Sequence, residues 1–230
     1  YELLIDGGSS AAVLRELSDG RNFFDKKIDV VVATHPDADH VGGLVDVLER
    51  YEVGLIIESA VVHETTVSDA FDDAANNEGL DIVIAQAGQI IKLGASTTVR
   101  ILSPYGDSAN WNSNSASVIV QIVYGDIEFM LTGDAPKGIE EYLVGEFGEL
   151  LESEVMKLGH HGSKTSSAET FLDAVSPEFA VVSAALDNRY GHPHPEVIER
   201  VEEREIEIVS TAVEGTIAFE SDGREVWLVE

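Results

Sequence analysis

The sequence predicts an α/β (α+β) fold in which two β-sheets carry helices on their outer faces. Short runs rich in β-branched residues alternate with segments of helical periodicity along the chain, which is typical of layered folds. The turn sequence Tyr124-Gly125-Asp126 separates two apolar runs and indicates a β-hairpin in mid-chain. The length of 230 residues, without a repeat or a low-complexity linker, favours one domain over residues 1–230.

The predicted strands are short and apolar, and the predicted helices have an apolar face. The spacing of Val41, Leu44, Val45 and Leu48 places four apolar side chains on one side of a helix. The strands are expected at Leu3–Ile5, Ile28–Ala33, Leu55–Ile57, Ile82–Ala85, Val99–Leu102, Val118–Tyr124, Ile127–Leu131, Val155–Leu158, Phe179–Ser183, Ile206–Val209, Thr216–Phe219 and Glu225–Leu228. Further helices are expected at Asp69–Asn77, Gly138–Phe147, Ala168–Val175 and Pro195–Glu203.

The composition describes an acidic chain that can bury a core of ordinary size. Hydrophobic residues make up 44% of the chain, and no apolar run reaches the ~18 residues of a membrane span, so we expect a soluble, globular protein. The absence of Cys excludes disulfides, thiolate metal ligands and a Cys nucleophile. The chain begins at Tyr1 without a basic segment, from which we expect a trimmed start and no signal peptide.

The net charge of −29 has two opposing interpretations. At low salt, exposed carboxylates repel DNA phosphates and anionic membranes over about 10 Å. In a halophile the same surface keeps a protein hydrated in molar salt, where the screening length falls to roughly 3 Å. Because the acidic residues are spread over the chain rather than gathered in a tail, we expect a halophilic source.

The densest group of reactive side chains follows the predicted strand Ile28–Ala33. Within six residues, directly before a predicted helix, the chain carries His35, Asp37, Asp39 and His40. Imidazole and carboxylate are ligands of divalent metals, and the loop after a strand holds functional groups on a rigid frame. A polar turn with one Asp capping the helix would explain neither His. This segment therefore predicts a group of metal ligands.

Two pairs of histidines follow later predicted strands. The first pair is His160 with His161, and the second is His192 with His194. Taken singly, the second His of either pair is better explained as a structural or solvent-exposed group. Six of the seven His nevertheless lie in three strand-end clusters, and only His63 stands apart. The grouping favours a shared role for the clustered histidines.

Asp134 ends another predicted strand, in the segment Leu131-Thr132-Gly133-Asp134. As a single residue it is equally well explained as the cap of the helix that follows. Added to the three histidine clusters, its carboxylate completes a ligand set sufficient for a two-metal hydrolytic site.

These motifs together resemble the metallo-β-lactamase fold hydrolases, and the sequence looks closest to the soluble hydrolase domain of ComEC-type competence proteins, which act in DNA uptake. The resemblance implies an αββα sandwich of two mixed β-sheets with helices outside and metals at the rim. It covers nearly the whole chain, through motifs in the family's order at Leu3–Gly8, His35–His40, Asn114–Ser117, Leu131–Asp134, His160–Ser163 and Tyr190–Pro193.

The resemblance implies two divalent metal ions, Zn or Mn, and assigns their ligands. Asp37 stands where most members of the superfamily carry His, and the usual mid-chain His is missing around Asn114; both changes are also typical of the competence-type proteins. The higher oxygen content makes Mn²⁺ plausible beside Zn²⁺. The implied ligands are His35 and Asp37 for one metal, Asp39 and His40 for the other, Asp134 as the bridge, and His192 as a late ligand.

The resemblance also assigns the catalytic groups. It implies that Asp39 binds metal and orients a metal-bridging hydroxide. Water bound to a metal can have a pKa lowered to about 7, which accounts for the hydroxide. One of His160 and His161 is expected to act as a metal ligand and the other on the substrate. Separately, alternation of side chains along an extended chain predicts that only one of the two points into the site. Asp6 either orients a ligand imidazole or is only a turn residue.

The function predicted from these features is a metal-dependent hydrolase, a phosphodiesterase or nuclease acting on DNA, with a membrane channel as an expected partner. Lys157, Lys164 and Arg189 would soften the negative charge beside the site, and the segment Ser163–Thr165 either binds an anionic oxygen or is a solvated loop. The alternatives are a small-molecule hydrolase of a lactone, thioester or phosphorylcholine ester, and a non-catalytic binding domain with a degenerate metal site.

Overall fold

The structure is a computed structural model that describes residues 1–19, 25–80 and 82–229. It divides into two compact units, residues 1–87 with 103–118 and residues 88–102 with 119–230. One domain over the whole chain stays a prediction. Within the described ranges, none of the helices has both the length and the apolar character needed to cross a membrane.

The first unit is built on a four-stranded sheet in the order β1-β3-β5-β6. These strands are β1 (Leu3–Ile5), β3 (Val30–Ala33), β5 (Ile56–Glu58) and β6 (Ile82–Ile84). All three of its pairings are parallel. Two short strands, β2 (Lys27–Ile28) and β4 (Glu52–Val53), pair separately. The helices are α1 (Ala12–Ser18), α2 (Ala38–Leu48) and α3 (Thr66–Glu78).

The apolar side of α2 packs into the core of the first unit, as its spacing predicts. Leu44 and Leu48 are buried there together with Val31, Ile56 and Phe71, which come from the sheet and from α3. The helix begins at residue 38, ahead of its apolar face, so the reactive segment that follows β3 runs into its first turn. Core packing therefore fixes the position of the first group of predicted ligands.

The second unit contains a seven-stranded sheet in the order β13-β12-β11-β10-β9-β8-β7. Its strands are β7 (Ile90–Leu93), β8 (Thr97–Ser103), β9 (Ile119–Tyr124), β10 (Ile127–Leu131), β11 (Val155–Lys157), β12 (Phe179–Val182) and β13 (Glu207–Ser210). The strands β14 (Ala218–Ser221) and β15 (Val226–Val229) form a separate antiparallel pair. The helices are α4 (Lys137–Phe147), α5 (Glu169–Val175), α6 (Pro195–Glu202) and α7 (Thr211–Glu214).

The predicted hairpin is confirmed in this second sheet. Tyr124 pairs with Ile127 in an antiparallel ladder, and Gly125 turns the chain with φ +67°. The pairings from β10 through β13 are parallel, so the larger sheet is mixed as predicted. The described pairings of the smaller sheet, by contrast, are all parallel.

The structure differs from the predicted elements mainly in short segments. The single strand expected over 28–33 is divided at Asp29, whose carboxylate accepts a hydrogen bond from the Glu2 amide at 2.9 Å and pairs with Lys27. The polar contacts of Asp29 explain why the chain leaves one ladder and joins another at this residue. The helices α1 and α7 and the strands β4 and β7 were not predicted, and each is seven residues long or shorter.

Candidate metal-binding clusters

The first cluster lies at the carboxyl end of β3 and in the first turn of α2, within the first unit. The possible ligand atoms of His35 and His40 lie within 4.8 Å of one another, as do those of Asp39 and His40. His35 and His40 are almost fully buried, whereas Asp39 is exposed. The segment predicted to hold ligands therefore does bring imidazoles and a carboxylate together.

Asp6 holds the imidazole of His40 in a fixed orientation. Its Oδ2 lies 2.6 Å from Nδ1 of His40, while the Thr34 amide and hydroxyl donate to the two carboxylate oxygens at 2.8 Å each. Burial alone would raise the pKa of Asp6, but the hydrogen bond and charge of His40 and the Thr34 amide outweigh it and lower the pKa. An ionised Asp6 fixes the proton on Nδ1, which leaves the lone pair of His40 on Nε2, the nitrogen that would bind a metal.

Asp37 is held through one of its two oxygens. Ser113 donates its hydroxyl to Oδ1 at 2.7 Å, and Nδ1 of His63 lies 3.2 Å from the same oxygen. The other oxygen, Oδ2, lies 3.8 Å from Nε2 of His35. Oδ2 and the His35 nitrogen thus lie close enough for one metal ion to contact both.

His63 and Ser113 are the residues of this cluster that sequence reasoning missed. His63 belongs to the loop after β5, and Ser113 precedes a short 3₁₀ turn at Asn114–Ala116. The parallel order of β3 and β5 brings the loops that follow them to one edge of the sheet. A signal did exist, since His63 also follows a predicted strand, but its isolation from other His concealed it.

Close backbone packing sets the distance between Asp6 and α2. A Cβ built on Gly43 would overlap the carbonyl oxygen of Gly7, and a Cβ on Gly7 would lie 2.6 Å from the amide nitrogen of Leu44. The Gly7 amide donates to the carbonyl of His40 at 2.7 Å. Glycine is required at both positions because no larger residue fits between the loop and the helix.

The second cluster lies in the second unit, after β10 and β11. Asp134 is buried, and its Oδ2 is 3.5 Å from Nε2 of His160 and 4.0 Å from Nε2 of His161. Asp134 does not cap α4, whose N-cap is Pro136 and has no side-chain cap. The helix-cap interpretation of Asp134 is therefore wrong.

The predicted split of the histidine doublet into one inward and one outward residue is also wrong. His160 and His161 have φ of +49° and +57°, because the chain forms a tight left-handed turn after β11 instead of continuing extended. Alternation applies to extended backbone only. The two side chains consequently both approach the same oxygen of Asp134.

The two histidines of the doublet differ in their second contacts. Nδ1 of His161 lies 2.8 Å from the carbonyl oxygen of Ser183, so Nδ1 carries the proton and Nε2 the lone pair. Nδ1 of His160 lies 3.3 Å from the Thr165 hydroxyl, which can either donate or accept. His161 therefore has the tautomer expected of a metal ligand. The contact with Thr165 does not fix which ring nitrogen of His160 carries a proton.

Glu140 is a buried carboxylate that binds the start of α5, close to the residue before the doublet. It is fully buried, and its carboxylate accepts hydrogen bonds from the amides of Ser167 and Ala168 at 2.9 and 2.7 Å, at the start of α5. Burial raises the pKa of Glu140 to about 7, although these two amides act in the opposite direction. The same carboxylate would lie 3.3 Å from a Cβ on Gly159, the residue before the doublet.

His192 also belongs to the second cluster, with its ring centroid 5.6 Å from that of His160. Burial, followed by the neighbouring His160 and His161, lowers the pKa of His192 and so favours the neutral ring. Its buried Nδ1 has no hydrogen-bond partner among the described residues. His194 instead caps α6, where Nδ1 accepts from the Glu196 amide at 3.3 Å, so the second His of this pair has a structural role.

The three cationic residues predicted beside the site differ in burial and in the groups they contact. Lys157 lies on β11 with its Nζ buried, and no hydrogen-bond partner for it is present in the described part of the chain. Arg189 lies over the ring of Tyr190 at 4.8 Å and donates to its hydroxyl. Lys164 is exposed in the loop that follows the doublet.

The donor sets fit divalent metal ions. The first cluster offers carboxylates with two imidazoles, of which that of His40 has its tautomer set by Asp6, and the second offers Asp134 with ring nitrogens of His161 and His192. The buried Nδ1 of His192 is a polar atom that a ligand bond would satisfy. Mixed nitrogen and oxygen ligands are compatible with several divalent metals, and the choice between Zn²⁺ and Mn²⁺ stays a prediction.

Residues 1–185 match the metallo-β-lactamase superfamily, and the chain belongs to that superfamily of hydrolases. It is 31% identical over 201 residues to ComE operon protein 3 of Bacillus subtilis, with 86% of this chain and 25% of the relative covered. It is 32% identical over 218 residues to Competence protein ComA of Neisseria gonorrhoeae, with 94% and 29% covered. The chain therefore spans between a quarter and a third of the length of these relatives.

Solved structures show the same fold at low sequence identity. The metallo-β-lactamase fold protein YhfI from Bacillus subtilis aligns with a TM-score of 0.55 and 13% identity, over 90% of this chain and 83% of that one. The diiron β-hydroxylase CmlA from Streptomyces venezuelae aligns with a TM-score of 0.53 and 15% identity, over 83% and 45%. The predicted metallo-β-lactamase fold is confirmed.

Proposed function

We propose that the chain is a metal-dependent phosphodiesterase or nuclease that acts on DNA. The observation that carries this proposal is the similarity to competence proteins over most of the chain, combined with imidazole and carboxylate clusters at strand ends. A third relative, 29% identical over 83% of the chain, is named Recombination protein 2 of Haemophilus influenzae. Competence and recombination both concern DNA, whose backbone is linked by phosphodiesters.

The residues of the first cluster would hold and orient metal in this function. We assign His35, Asp37, Asp39 and His40 as ligands, with Asp134 and His192 from the second cluster, as the resemblance implies. A divalent ion bound by such donors acts as a Lewis acid and lowers the pKa of water to about 7. Asp6 fixes the His40 ring, and Ser113 with His63 fixes the Asp37 carboxylate. Such supporting contacts are the usual means of orienting metal ligands.

We assign different roles to the two residues of the doublet. His161 is the ligand, because its hydrogen bond to the Ser183 carbonyl fixes Nε2 as the lone-pair nitrogen. His160 moves a proton to the leaving oxygen. Its Nδ1 contacts a hydroxyl that can accept or donate, so this contact does not fix which ring nitrogen carries the proton.

The net charge of −29 opposes a DNA substrate at low salt. Molar salt screens this repulsion to a range of roughly 3 Å, which reconciles the charge with the proposed substrate if the protein works in high salt. A membrane channel partner also remains part of the proposal, since the chain matches only a portion of its longer relatives.

The test is a pair of assays on protein reconstituted with Zn²⁺ or Mn²⁺. Plasmid DNA and bis-p-nitrophenyl phosphate are incubated in high salt while metal content is measured by elemental analysis. We expect up to two ions per chain and cleavage of both substrates. Hydrolysis of lactones or thioesters without cleavage of DNA would identify a small-molecule hydrolase, and bound metal without any turnover would identify a binding domain.

A further inference from the structure

A cavity of about 120 Å³ opens in the first unit at the carboxyl ends of its parallel strands. Ala33, Glu58 and Ile84, the last residues of β3, β5 and β6, all line it. Ligands of open parallel sheets bind in crevices at this end of the strands. The cavity therefore occupies the part of the first unit where a binding pocket is expected.

The cavity adjoins the first cluster, because His35 and Pro36 form part of its wall. Apolar side chains complete most of the remaining wall, among them Phe71, which is 3% exposed, and Val61. Ile84 lies at the cavity and is itself exposed, so the apolar wall reaches the surface. An uncharged, flat group would find apolar contact here next to the predicted metal ligands.

The polar groups of the cavity disfavour phosphate and favour a neutral partner. Glu58 and Asp72 both line it, and the carboxylate of Asp72 repels a phosphate group. Burial, with the charge of Asp72 adding to it, raises the pKa of Glu58 to about 7. A protonated carboxyl donates one hydrogen bond and accepts others, as the edge of a nucleobase does, and Ser59 and Ser68 add hydroxyls.

We propose that this cavity binds an unpaired nucleobase of the substrate, next to the phosphodiester that is cleaved at the first cluster. The proposal rests on the proposed function, since it names the part of a DNA substrate that the cavity recognises. The base contributes apolar contact and one or two hydrogen bonds to Glu58, while its phosphate stays outside the acidic cavity. The chemical class of the ligand is thus a nucleotide rather than free phosphate.

The experiment compares metal-loaded protein on single-stranded oligonucleotides with normal bases and on the same length of abasic strand. The variant Val61→Trp fills the cavity, Glu58→Leu removes its hydrogen-bonding group, and Glu58→Gln retains that group. The matched control is Val213→Trp, which adds the same side chain at an exposed residue that does not line the cavity. Thermal melting of each variant checks that it folds. If Val61→Trp does not fold, Glu58→Leu alone tests the cavity.

We expect Val61→Trp and Glu58→Leu to lower kcat/KM on the normal strand by about 10-fold, the scale of losing one base contact. The abasic strand should be cleaved equally by all variants, and Glu58→Gln should retain most of the wild-type preference. Equal kcat/KM of the wild type on both strands would overturn the cavity proposal. An equal loss on both strands in the variants would do the same.

A binding measurement separates the cavity from the reaction. Isothermal titration of the protein with thymidine monophosphate and with deoxyribose 5-phosphate should show tighter binding of the nucleotide, and Val61→Trp should remove the difference. If the wild type cleaves neither strand, the proposed function fails, and the titration alone then decides the cavity. Equal affinity for the two phosphates would overturn it.

Discussion

His63 lies with its Nδ1 3.2 Å from Oδ1 of Asp37, on the oxygen that already accepts the hydroxyl of Ser113. These two contacts engage one side of the carboxylate and direct the other oxygen, Oδ2, toward His35 at 3.8 Å. Asp37 is thus arranged to offer a single oxygen to a metal. His63, which lies apart from the other histidines in the sequence, thus contacts Asp37, which stands where most members of the superfamily carry His.

Replacing His63 or Ser113 should weaken metal binding without removing a ligand. We expect His63→Ala and Ser113→Ala each to lower the affinity of the first cluster by roughly 10-fold or more, the usual cost of losing a residue that orients a ligand. Competition with a fluorescent chelator measures the affinity directly. Glu64→Ala, at the exposed neighbour of His63, is the control and should bind metal normally. Unchanged affinity in both test variants would contradict the arrangement.

Asp134 should affect both metals together, because the resemblance assigns it as the bridging carboxylate. We expect Asp134→Ala to reduce the metal content from up to two ions to fewer than one per chain and to abolish turnover. Elemental analysis after gel filtration gives the stoichiometry. Asp126→Ala removes a carboxylate from the exposed hairpin turn and serves as the control. Full metal content in Asp134→Ala would rule out the bridge.

The two histidines of the doublet should fail in different ways. His161→Ala should lower both metal occupancy and turnover, because its Nε2 is held in the ligand tautomer by the Ser183 carbonyl. His160→Ala should keep its metal and lose at least ~10²-fold in kcat, most of all on phosphodiesters with poor leaving groups. Metal analysis with kcat on good and poor leaving groups distinguishes these results. The reverse pattern would exchange the two assignments, and near-wild-type turnover in both would remove the doublet from the mechanism.

Glu58 should make the protein less stable as pH rises. Its pKa is raised to about 7, chiefly by burial and further by Asp72, so the folded state holds a proton that the unfolded chain loses near pH 4.5. Stability should therefore fall between pH 4.5 and 7, and Glu58→Gln should remove about 1–2 kcal/mol of that fall, allowing for partial exposure. Urea denaturation at pH 5 and pH 8 measures it. Glu64→Gln, at an exposed site, should leave the pH dependence intact.

Salt should stabilise this acidic chain. The net charge of −29 favours expansion at low ionic strength, and screening relieves the repulsion as salt rises from about 0.1 M to the molar range. A series of thermal melts in KCl should show Tm rising throughout. A Tm that stays level or falls would contradict the halophilic interpretation and leave the acidic composition unexplained.

The long elements and the ligand-bearing segments were predictable, because apolar periodicity and strand-end position are local properties of the chain. The helix α2 and the hairpin at Gly125 both follow from spacing of this kind. The contacts of His63 with Asp37 depend instead on which strands become neighbours, which no local pattern contains. The doublet was misjudged for a second reason, since the left-handed backbone at His160 and His161 gives no signal in residue type.

Gly43 has no side chain and touches no substrate, yet the close approach of Gly7 to α2 makes the chemistry of His40 depend on it. A methyl group at residue 43 would push the loop outward and carry Asp6 away from the imidazole. The proton on His40 could then lie on either ring nitrogen. Nε2 would no longer be fixed as the nitrogen with the lone pair, although every predicted ligand would still be present. A mutational scan limited to polar residues would therefore miss Gly43, although the tautomer of His40 depends on its lack of a side chain.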